Sequence, residues 1–176
     1  MKYLNKHNIT SVIILLVLVI IISVIATFVF KKESKIIETS KIETSVTNML
    51  SIKSKYKLFS KEINTELINT DNKEEKKENM LLEKLHLSKI DNIQEQITNV
   101  ESFLPDYTQY SYYKTSLETF EAMEIQNLID NYEENQYIIA INTTDQSKIE
   151  IIDSTGVVID DNTYYTLSKL QEVANQ

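Results

Sequence analysis

The sequence has little or none of several residue types on which common folds and chemistries depend. Its 176 residues include one glycine, one proline, two histidines and no cysteine or tryptophan, and all 18 basic residues are lysine. Without cysteine, disulfides, thiolate nucleophiles and cysteine-ligated zinc are excluded. A glycine-rich phosphate-binding loop cannot be built around Gly156 alone. Because glycine supplies left-handed backbone positions and proline interrupts helices, their scarcity predicts few tight turns and long helices.

The charge balance is acidic once the first 30 residues are set aside. The remainder contains 16 of the 18 lysines and all 26 acidic residues, a net charge of −10. Nucleic acid binding depends on clustered cations that displace phosphate counterions, so we expect no nucleic acid partner. The composition, free of arginine and rich in lysine and isoleucine, is typical of a bacterial protein from an AT-rich genome.

A long apolar run occupies residues 12–30 and carries no charged side chain. A helix of this length reaches about 28 Å, close to the hydrocarbon thickness of a bilayer. We therefore predict a short tail at 1–11 and a single transmembrane helix at 12–30 in contact with membrane lipid. A cleaved signal peptide is the alternative, because Lys2 and Lys6 precede the run. We favour a cell-membrane protein whose residues 31–176 lie outside the cytoplasm.

Residues 31–104 are predicted to form a helical stalk. A first stripe on one helical face consists of Ile42, Val46, Met49, Tyr56, Ile63 and Leu67. The charged stretch 69–79 is interpreted as a turn, which would make the stalk a helical hairpin. A second set of apolar residues follows a heptad spacing, and we call it the heptad residues: Ile90, Ile93, Ile97, Val100 and Leu104. They are candidates for helix pairing, either with the first helix or, as a coiled coil, with another chain, up to Pro105.

Residues 105–176 are predicted to form a small α+β head. Apolar runs at 137–141, 148–152 and 157–159 favour a three-strand antiparallel meander with Gly156 in a hairpin turn, followed by a helix at 163–174. The fold class is therefore mainly α with a small α+β unit at the C-terminus. Four tyrosines, the tyrosine cluster, are the candidate docking surface, with packing in the head's own core as the alternative: Tyr107, Tyr110, Tyr112 and Tyr113.

The sequence contains no recognisable catalytic or metal-binding pattern, so we expect no enzyme, no cofactor and no metal. Beyond the tail the only histidine is His86, interpreted as a residue of the helix-pairing face. The first functional hypothesis is a membrane-anchored scaffold subunit of a bacterial assembly, of the pilus, secretion or division type. Its partner would be a protein of the membrane or envelope, or a second copy of this chain. The alternative is an extracytoplasmic sensor or ligand-binding module that signals through a membrane partner.

Overall fold

The protein, as a computed structural model, is described over residues 39–67, 71–134 and 136–175. From Lys41 onward the chain forms one compact unit, Lys41–Gln176. The described residues form two short 3-10 helices, Ile93–Glu95 and Tyr107–Gln109. Their eleven α-helices and strands follow in this order: α1 (39–66), α2 (Lys73–Lys84), β1 (Ser88–Ile90), α3 (Val100–Phe103), β2 (Tyr110–Lys114), α4 (Leu117–Ala122), α5 (Gln126–Asp130), β3 (Tyr137–Asn142), β4 (Ile149–Ile159), β5 (Asn162–Thr166) and α6 (Leu167–Ala174).

The five strands form one antiparallel sheet in the order β1-β2-β3-β4-β5. Each strand therefore pairs with the next one along the chain, and the helical segments α4 and α5 are inserted between β2 and β3. The central strand β3 is buried at all six residues. Its run of isoleucine and alanine suits this position, because a strand covered on both faces needs apolar side chains on both sides.

Two hydrophobic cores cover the two faces of the sheet. In the larger core, Met49 and Ile52 of α1 and Phe120 of α4 belong to the same cluster as Ile139 and Ile151 of the sheet. The second core covers the opposite face with the segment between β1 and β2, and its buried members are Ile93, Ile97, Val100, Tyr112, Ile138, Ala140 and Ile152.

The stripe predicted on the first helix is buried, but it does not belong to a stalk. Its residues Met49 and Ile63 are fully buried, and Val46 is half-buried. They pack in the larger core together with strand residues such as Ile139. The amphipathic helix was correctly predicted, whereas the separate helical stalk is wrong, because the apolar stripe covers the sheet of the same unit.

The predicted helix over the heptad residues is also wrong. Helix α2 occupies most of the stretch predicted as a turn and ends at Lys84, and β1 follows four residues later. Ile90 lies in β1 opposite Tyr112, and Ile93 opens a 3-10 helix whose N-cap Asn92 accepts a hydrogen bond from Gln94 N at 3.2 Å. The spacing resembles a heptad because these residues return to the second core at short intervals, not because they share one helix.

The predicted three-strand meander is corrected in the same way. Residues 149–159 form the single strand β4, and Gly156 lies in a bulge where β4 advances from Ile152 to Val157 while β5 moves only from Thr166 to Tyr164. The hairpin turn follows at Asp160 and Asp161, with φ of 45° and 64°. Positive φ at both central residues defines a type I′ turn.

The last helix starts later than predicted. Residues 162–166 belong to β5, so the predicted start at 163 lies within a strand. Thr166 is the N-cap of α6 and accepts a hydrogen bond from Lys169 N at 3.4 Å. Leu167 and Leu170 are fully buried, as the apolar spacing at the end of the chain predicted.

Left-handed backbone positions are common despite the single glycine. Over the described residues, positive φ occurs at Gly156 and at six other residues: Asn72, His86, Asn99, Glu124, Asp160 and Asp161. The prediction of few such positions was wrong, because asparagine and aspartate tolerate this conformation. His86 and Glu124 adopt it at hydrogen-bonded helix ends, where Leu87 N donates to Leu82 O and Ile125 N donates to Phe120 O.

The prediction of a membrane-spanning protein is contradicted by the helices of the described residues. Within 39–67, 71–134 and 136–175, no helix is both long and apolar enough to cross a bilayer. This finding contradicts the transmembrane assignment and the cell-membrane location. The run at 12–30, on which that assignment was based, lies outside the described residues.

Candidate functional site

A cavity of about 360 Å³ lies between α1, α2 and the sheet. Helix α1 contributes Tyr56, and the other apolar or aromatic lining residues are Leu81, Leu82, Leu87, Tyr113 and Ile141. The polar lining residues are Glu74, Glu75, Lys77, Glu78, Ser111, Asn142, Thr143 and Gln146. Concave sites of this size that combine an apolar wall with a few polar groups are the usual binding places of small molecules.

Lys77 is the cation of the cavity, and it is buried, with 8% of its surface exposed. Its Nζ donates a hydrogen bond to Gln146 Oε1 at 2.8 Å. Gln146 in turn donates from Nε2 to Glu74 Oε2 at 2.6 Å. The carboxamide of Gln146 therefore spans the gap between Lys77 and Glu74, which lie one helical turn apart on α2.

The Lys77 ammonium makes no ion pair with any described carboxylate. The described ion pairs of the neighbouring lysines join Lys84 to Glu66 and Lys89 to Glu78. An ammonium carries three N–H donors, and a buried charge is costly unless it is paired and hydrogen-bonded. Lys77 consequently has unused donor capacity at the cavity wall.

Glu78 fastens α2 to the sheet. Its Oε1 accepts hydrogen bonds from Lys89 Nζ at 2.7 Å and from Tyr113 Oη at 2.9 Å. Lys89 and Tyr113 are cross-strand partners of β1 and β2, so both donors come from one place in the sheet. The hydrogen bond from Lys89, reinforced by that from Tyr113, lowers the pKa of Glu78 despite partial desolvation. This carboxylate thus stabilises the position of α2 in the cavity wall.

Two tyrosines at the base of the cavity are held in the neutral form. Burial raises the pKa of Tyr56, and the nearby Tyr113 and Glu78 add to the effect. Burial also raises the pKa of Tyr113, which donates its hydroxyl proton to Glu78. Both rings therefore present apolar faces and neutral hydroxyls, not phenolates, at physiological pH.

The loop between β3 and β4 places Gln146 over the cavity. Its first turn is fixed by buried Asn142, whose Oδ1 accepts from Thr144 N at 3.0 Å and Asp145 N at 2.9 Å. Asp145 Oδ1 accepts from Ser147 Oγ at 2.6 Å and Ser147 N at 3.1 Å, and these bonds lower the pKa of Asp145. The backbone of the loop is ordered by its own side chains, while the Gln146 side chain remains exposed.

The lining combines carboxylates, one ammonium, hydroxyls and amides with an apolar wall. Within the described part of the chain, no cluster of three or more His, Asp or Glu residues could hold a metal ion. His86 is exposed and occupies a left-handed position just after α2, with φ of 49°. It does not line the cavity.

The heptad residues lie in the second core, away from the cavity. Ile93, Ile97 and Val100 are buried there, and Ile90 and Leu104 pack against them half-buried. Their surfaces are therefore already covered within the unit. Their pairing with another chain stays a prediction.

The tyrosine cluster is split between the two faces of the sheet. Tyr113 is buried in the larger core, and Tyr112 is buried in the second core, where its hydroxyl donates to Tyr107 O at 2.7 Å. Tyr107 and Tyr110 are half-buried beside it. Tyr112 and Tyr113 thus pack in the protein's own cores, as the alternative interpretation of the cluster expected. A docking role of Tyr107 and Tyr110 stays a prediction.

Sequence reasoning missed the main residues of the cavity. Lys77 and Glu74 belong to a mixed charge run that was interpreted as a solvated turn, and nothing in that run distinguishes the buried lysine from its neighbours. Gln146 lies 69 residues from Lys77 along the chain. Only the folded arrangement brings them together.

The described residues form an α+β unit with a half-open cavity between α1, α2 and the sheet. No protein-family model, curated protein or solved structure matches the chain significantly. The function is therefore argued from the cavity alone.

Proposed function

We propose that this chain is a small-molecule-binding module, in line with the ligand-binding alternative drawn from the sequence. The cavity of about 360 Å³ falls within the size range of small-ligand sites, which begins at roughly 300 Å³. It combines an apolar wall from Leu81 and Leu87 with polar groups from three separate parts of the chain. This combination binds the body of a small molecule and fixes its orientation.

The observation that carries the proposal is the buried, unpaired ammonium of Lys77. A lysine that served only the fold would be expected to reach solvent or to meet a carboxylate, since burying a cation without a counter-charge is unfavourable. The Lys77 side chain is only 8% exposed and its ammonium forms no ion pair with a described carboxylate, and its partner Gln146 supplies a neutral amide oxygen. A bound ligand with an anionic group would complete its coordination.

Thermal unfolding of the full chain in the presence of a compound panel tests the proposal. The panel contains free amino acids, small carboxylates, amines, sugars and nucleosides, each at millimolar concentration. A ligand that binds the folded state raises the melting temperature by mass action. We expect at least one compound class to raise it reproducibly.

A blocking variant and a matched control connect any stabilisation to the cavity. Ser111→Phe places a ring on the β2 wall of the cavity, and Ser88→Phe places the same ring on exposed β1, outside the lining. We expect Ser111→Phe to abolish the ligand-induced shift and Ser88→Phe to retain it. The absence of any shift in the wild-type chain, or equal shifts in both variants, would contradict the proposal.

The scaffold role drawn from the sequence stays a separate prediction. It requires a stable complex with another protein or with a second copy of this chain. Recovery of the full chain as a single species of monomer mass would count against self-association.

A further inference from the structure

The position of the Gln146 side chain indicates what kind of ligand the cavity takes. Its carboxamide places an acceptor oxygen 2.8 Å from the Lys77 ammonium and donor hydrogens toward the Glu74 carboxylate, with Nε2 to Oε2 at 2.6 Å. The two ends of this amide thus meet a full positive and a full negative charge. A neutral amide can form hydrogen bonds with Lys77 and Glu74, but it cannot neutralise the charge of either residue.

We propose that the cavity binds a free α-amino acid with an apolar side chain, whose carboxylate and ammonium replace the Gln146 carboxamide between Lys77 and Glu74. This inference rests on the proposed function of ligand binding. An amino acid carries an anionic acceptor and a cationic donor on neighbouring atoms, the same order of acceptor and donor that the amide presents. The exchange converts two hydrogen bonds in which only one partner is charged into two ion pairs in which both partners are charged.

The charges of the lining favour a zwitterion over a ligand of one sign. A simple carboxylate would satisfy Lys77 but would face the unneutralised Glu74 and the exposed Glu75. A simple amine would meet these carboxylates and leave Lys77 buried without a counter-charge. The charge of Glu78 contributes less to either contact, because Glu78 is already paired with Lys89 and its Oε1 accepts from both Lys89 and Tyr113.

The remaining wall of the cavity fits an aliphatic side chain. Leu81, Leu82 and Leu87 line it together with the ring of Tyr56. The hydroxyl of Tyr56 is held neutral by burial, so no charge competes with the apolar contact. Transfer of an aliphatic group from water into such surroundings is favourable.

Displacement of Gln146 requires a change in one side chain only. Asn142 and Asp145 fix the loop backbone on either side of the turn, so it need not rearrange. The Gln146 side chain is exposed and can turn into solvent, where its amide regains hydrogen bonds to water. Gln146 accordingly acts as an internal occupant that the ligand must displace.

Calorimetric titration of the full chain with three matched probes tests the inference. L-Leucine carries both charged groups, 4-methylpentanoate lacks the ammonium, and 3-methylbutylamine lacks the carboxylate. Since hydrogen bonds to charged groups contribute about 1.5–3 kcal/mol, we expect L-leucine to bind at least about tenfold more tightly than either half-ligand. If L-leucine and 4-methylpentanoate bind with equal affinity, the inference that the cavity selects a zwitterionic ligand is wrong.

Three variants assign the groups. Lys77→Met should weaken the binding of L-leucine at least about tenfold. Glu74→Gln should weaken the binding of L-leucine and 3-methylbutylamine, while its effect on the binding of 4-methylpentanoate is smaller or opposite.

Gln146→Ala should tighten the binding of L-leucine severalfold, because the competing amide is gone. A purely structural role of Gln146 predicts the reverse, so weaker or unchanged binding in Gln146→Ala would overturn its role as occupant. Gln126→Ala, at an exposed residue of α5, is the matched control and should leave the affinity unchanged.

The outcomes separate this inference from the proposed function. If L-leucine and other apolar amino acids fail to bind while another compound class binds and Ser111→Phe blocks it, the amino-acid inference is wrong and the binding module stands. If no compound class binds, both fail. The affinity of Lys77→Met is compared with the wild type only if its midpoint of urea unfolding is unchanged. If Lys77→Met does not fold, Gln146→Ala still tests the inference, because Gln146 is exposed and its replacement does not disturb the core.

Discussion

Tyr113 and Glu78, 35 residues apart in the sequence, are joined by a hydrogen bond of 2.9 Å that fastens α2 to β2. Lys89, the cross-strand neighbour of Tyr113, donates to the same carboxylate oxygen. One acidic side chain thereby anchors the helix that carries Glu74 and Lys77. The cavity wall depends on the ionised state of this residue.

Glu78→Gln should flatten the acid dependence of stability. The pKa of Glu78 is lowered from 4.5 in the folded state, chiefly by the hydrogen bond from Lys89. Its contribution to stability is therefore complete above the ordinary pKa of 4.5 and is lost as the pH falls through the lower folded value. We expect urea unfolding between pH 5 and about 3 to show a steeper loss for the wild type than for Glu78→Gln.

Glu75→Gln, on the same helix, is the control for this experiment. Its side chain is exposed, so this variant should keep the steep acid dependence of the wild type. A Glu78→Gln chain that loses stability in acid as steeply as the wild type would contradict the anchoring role.

Gly156→Ala should destabilise the fold. Gly156 has φ of +70°, and an added Cβ would overlap Thr163 Cγ2 and lie 2.9 Å from Tyr165 Cε1. The left-handed conformation costs an L-residue about 1–2 kcal/mol, and the overlap adds to it. We expect a loss of about 2 kcal/mol or more in the free energy of unfolding, measured in urea.

Adding Thr163→Ser to this variant should recover part of the loss. Serine lacks the Cγ2 that the new Cβ overlaps, so the overlap is relieved while the strain from φ remains. If Gly156→Ala has the stability of the wild type, the bulge does not have the conformation described.

Asp153→Ala should also open the bulge in β4. Asp153 is 2% exposed, and its Oδ1 accepts from Thr155 Oγ1 at 2.6 Å, Thr155 N at 3.0 Å and Gly156 N at 3.3 Å. Its removal deprives these three donors of their acceptor, and since Thr155 is exposed and Gly156 is half-buried, we expect a loss of about 2 kcal/mol in chemical denaturation. Asp153→Asn keeps an acceptor oxygen and should lose about 1 kcal/mol. Equal losses in the two variants would mean that the charge, not the acceptor, matters.

Glu124→Gly should stabilise the protein. Glu124 has φ of 55° at the end of α4, where Ile125 N donates to Phe120 O and Glu124 N donates to Glu121 O, both at 3.0 Å. This pair of bonds is the Schellman motif, which favours glycine at the left-handed residue. We expect a gain of about 0.5–1 kcal/mol, since the ion pair with Lys55 lost in the change is exposed and weak.

Glu121→Gly tests the same substitution in a right-handed position. Glu121 lies within α4 and is exposed, so glycine there should cost about 1 kcal/mol. Opposite signs for the two substitutions are the expected result. Equal signs would rule out the conformational explanation.

Elements with a simple relation between spacing and burial could be predicted from the sequence. The stripe through Met49 and Ile63 identified α1, and the run at 137–141 identified β3, because each pattern reflects one face or two faces in contact with a core. The heptad residues failed because apolar residues that return to a core every three or four positions fit a helix equally well. Spacing alone does not show that the backbone between Ile90 and Ile93 changes from strand to 3-10 helix.

The turns and the cavity could not be predicted from the spacing of apolar residues in the sequence. Gly156 indicated a positive φ, but a bulge and a hairpin turn both need one, and the turn itself uses Asp160 and Asp161. The pairing of Lys77 with Gln146 depends on contacts across 69 residues, for which the sequence contains no local indication.

The most direct test of the account is the side-chain amide resonance of Gln146 in the ¹H–¹⁵N spectrum of the full chain during titration with L-leucine. If the amino acid takes the place of this amide between Lys77 and Glu74, both side-chain protons of Gln146 should shift and exchange faster with water as the site fills, whereas the amide of Gln126 should not change. A Gln146 amide that stays unchanged up to saturating L-leucine would contradict the account.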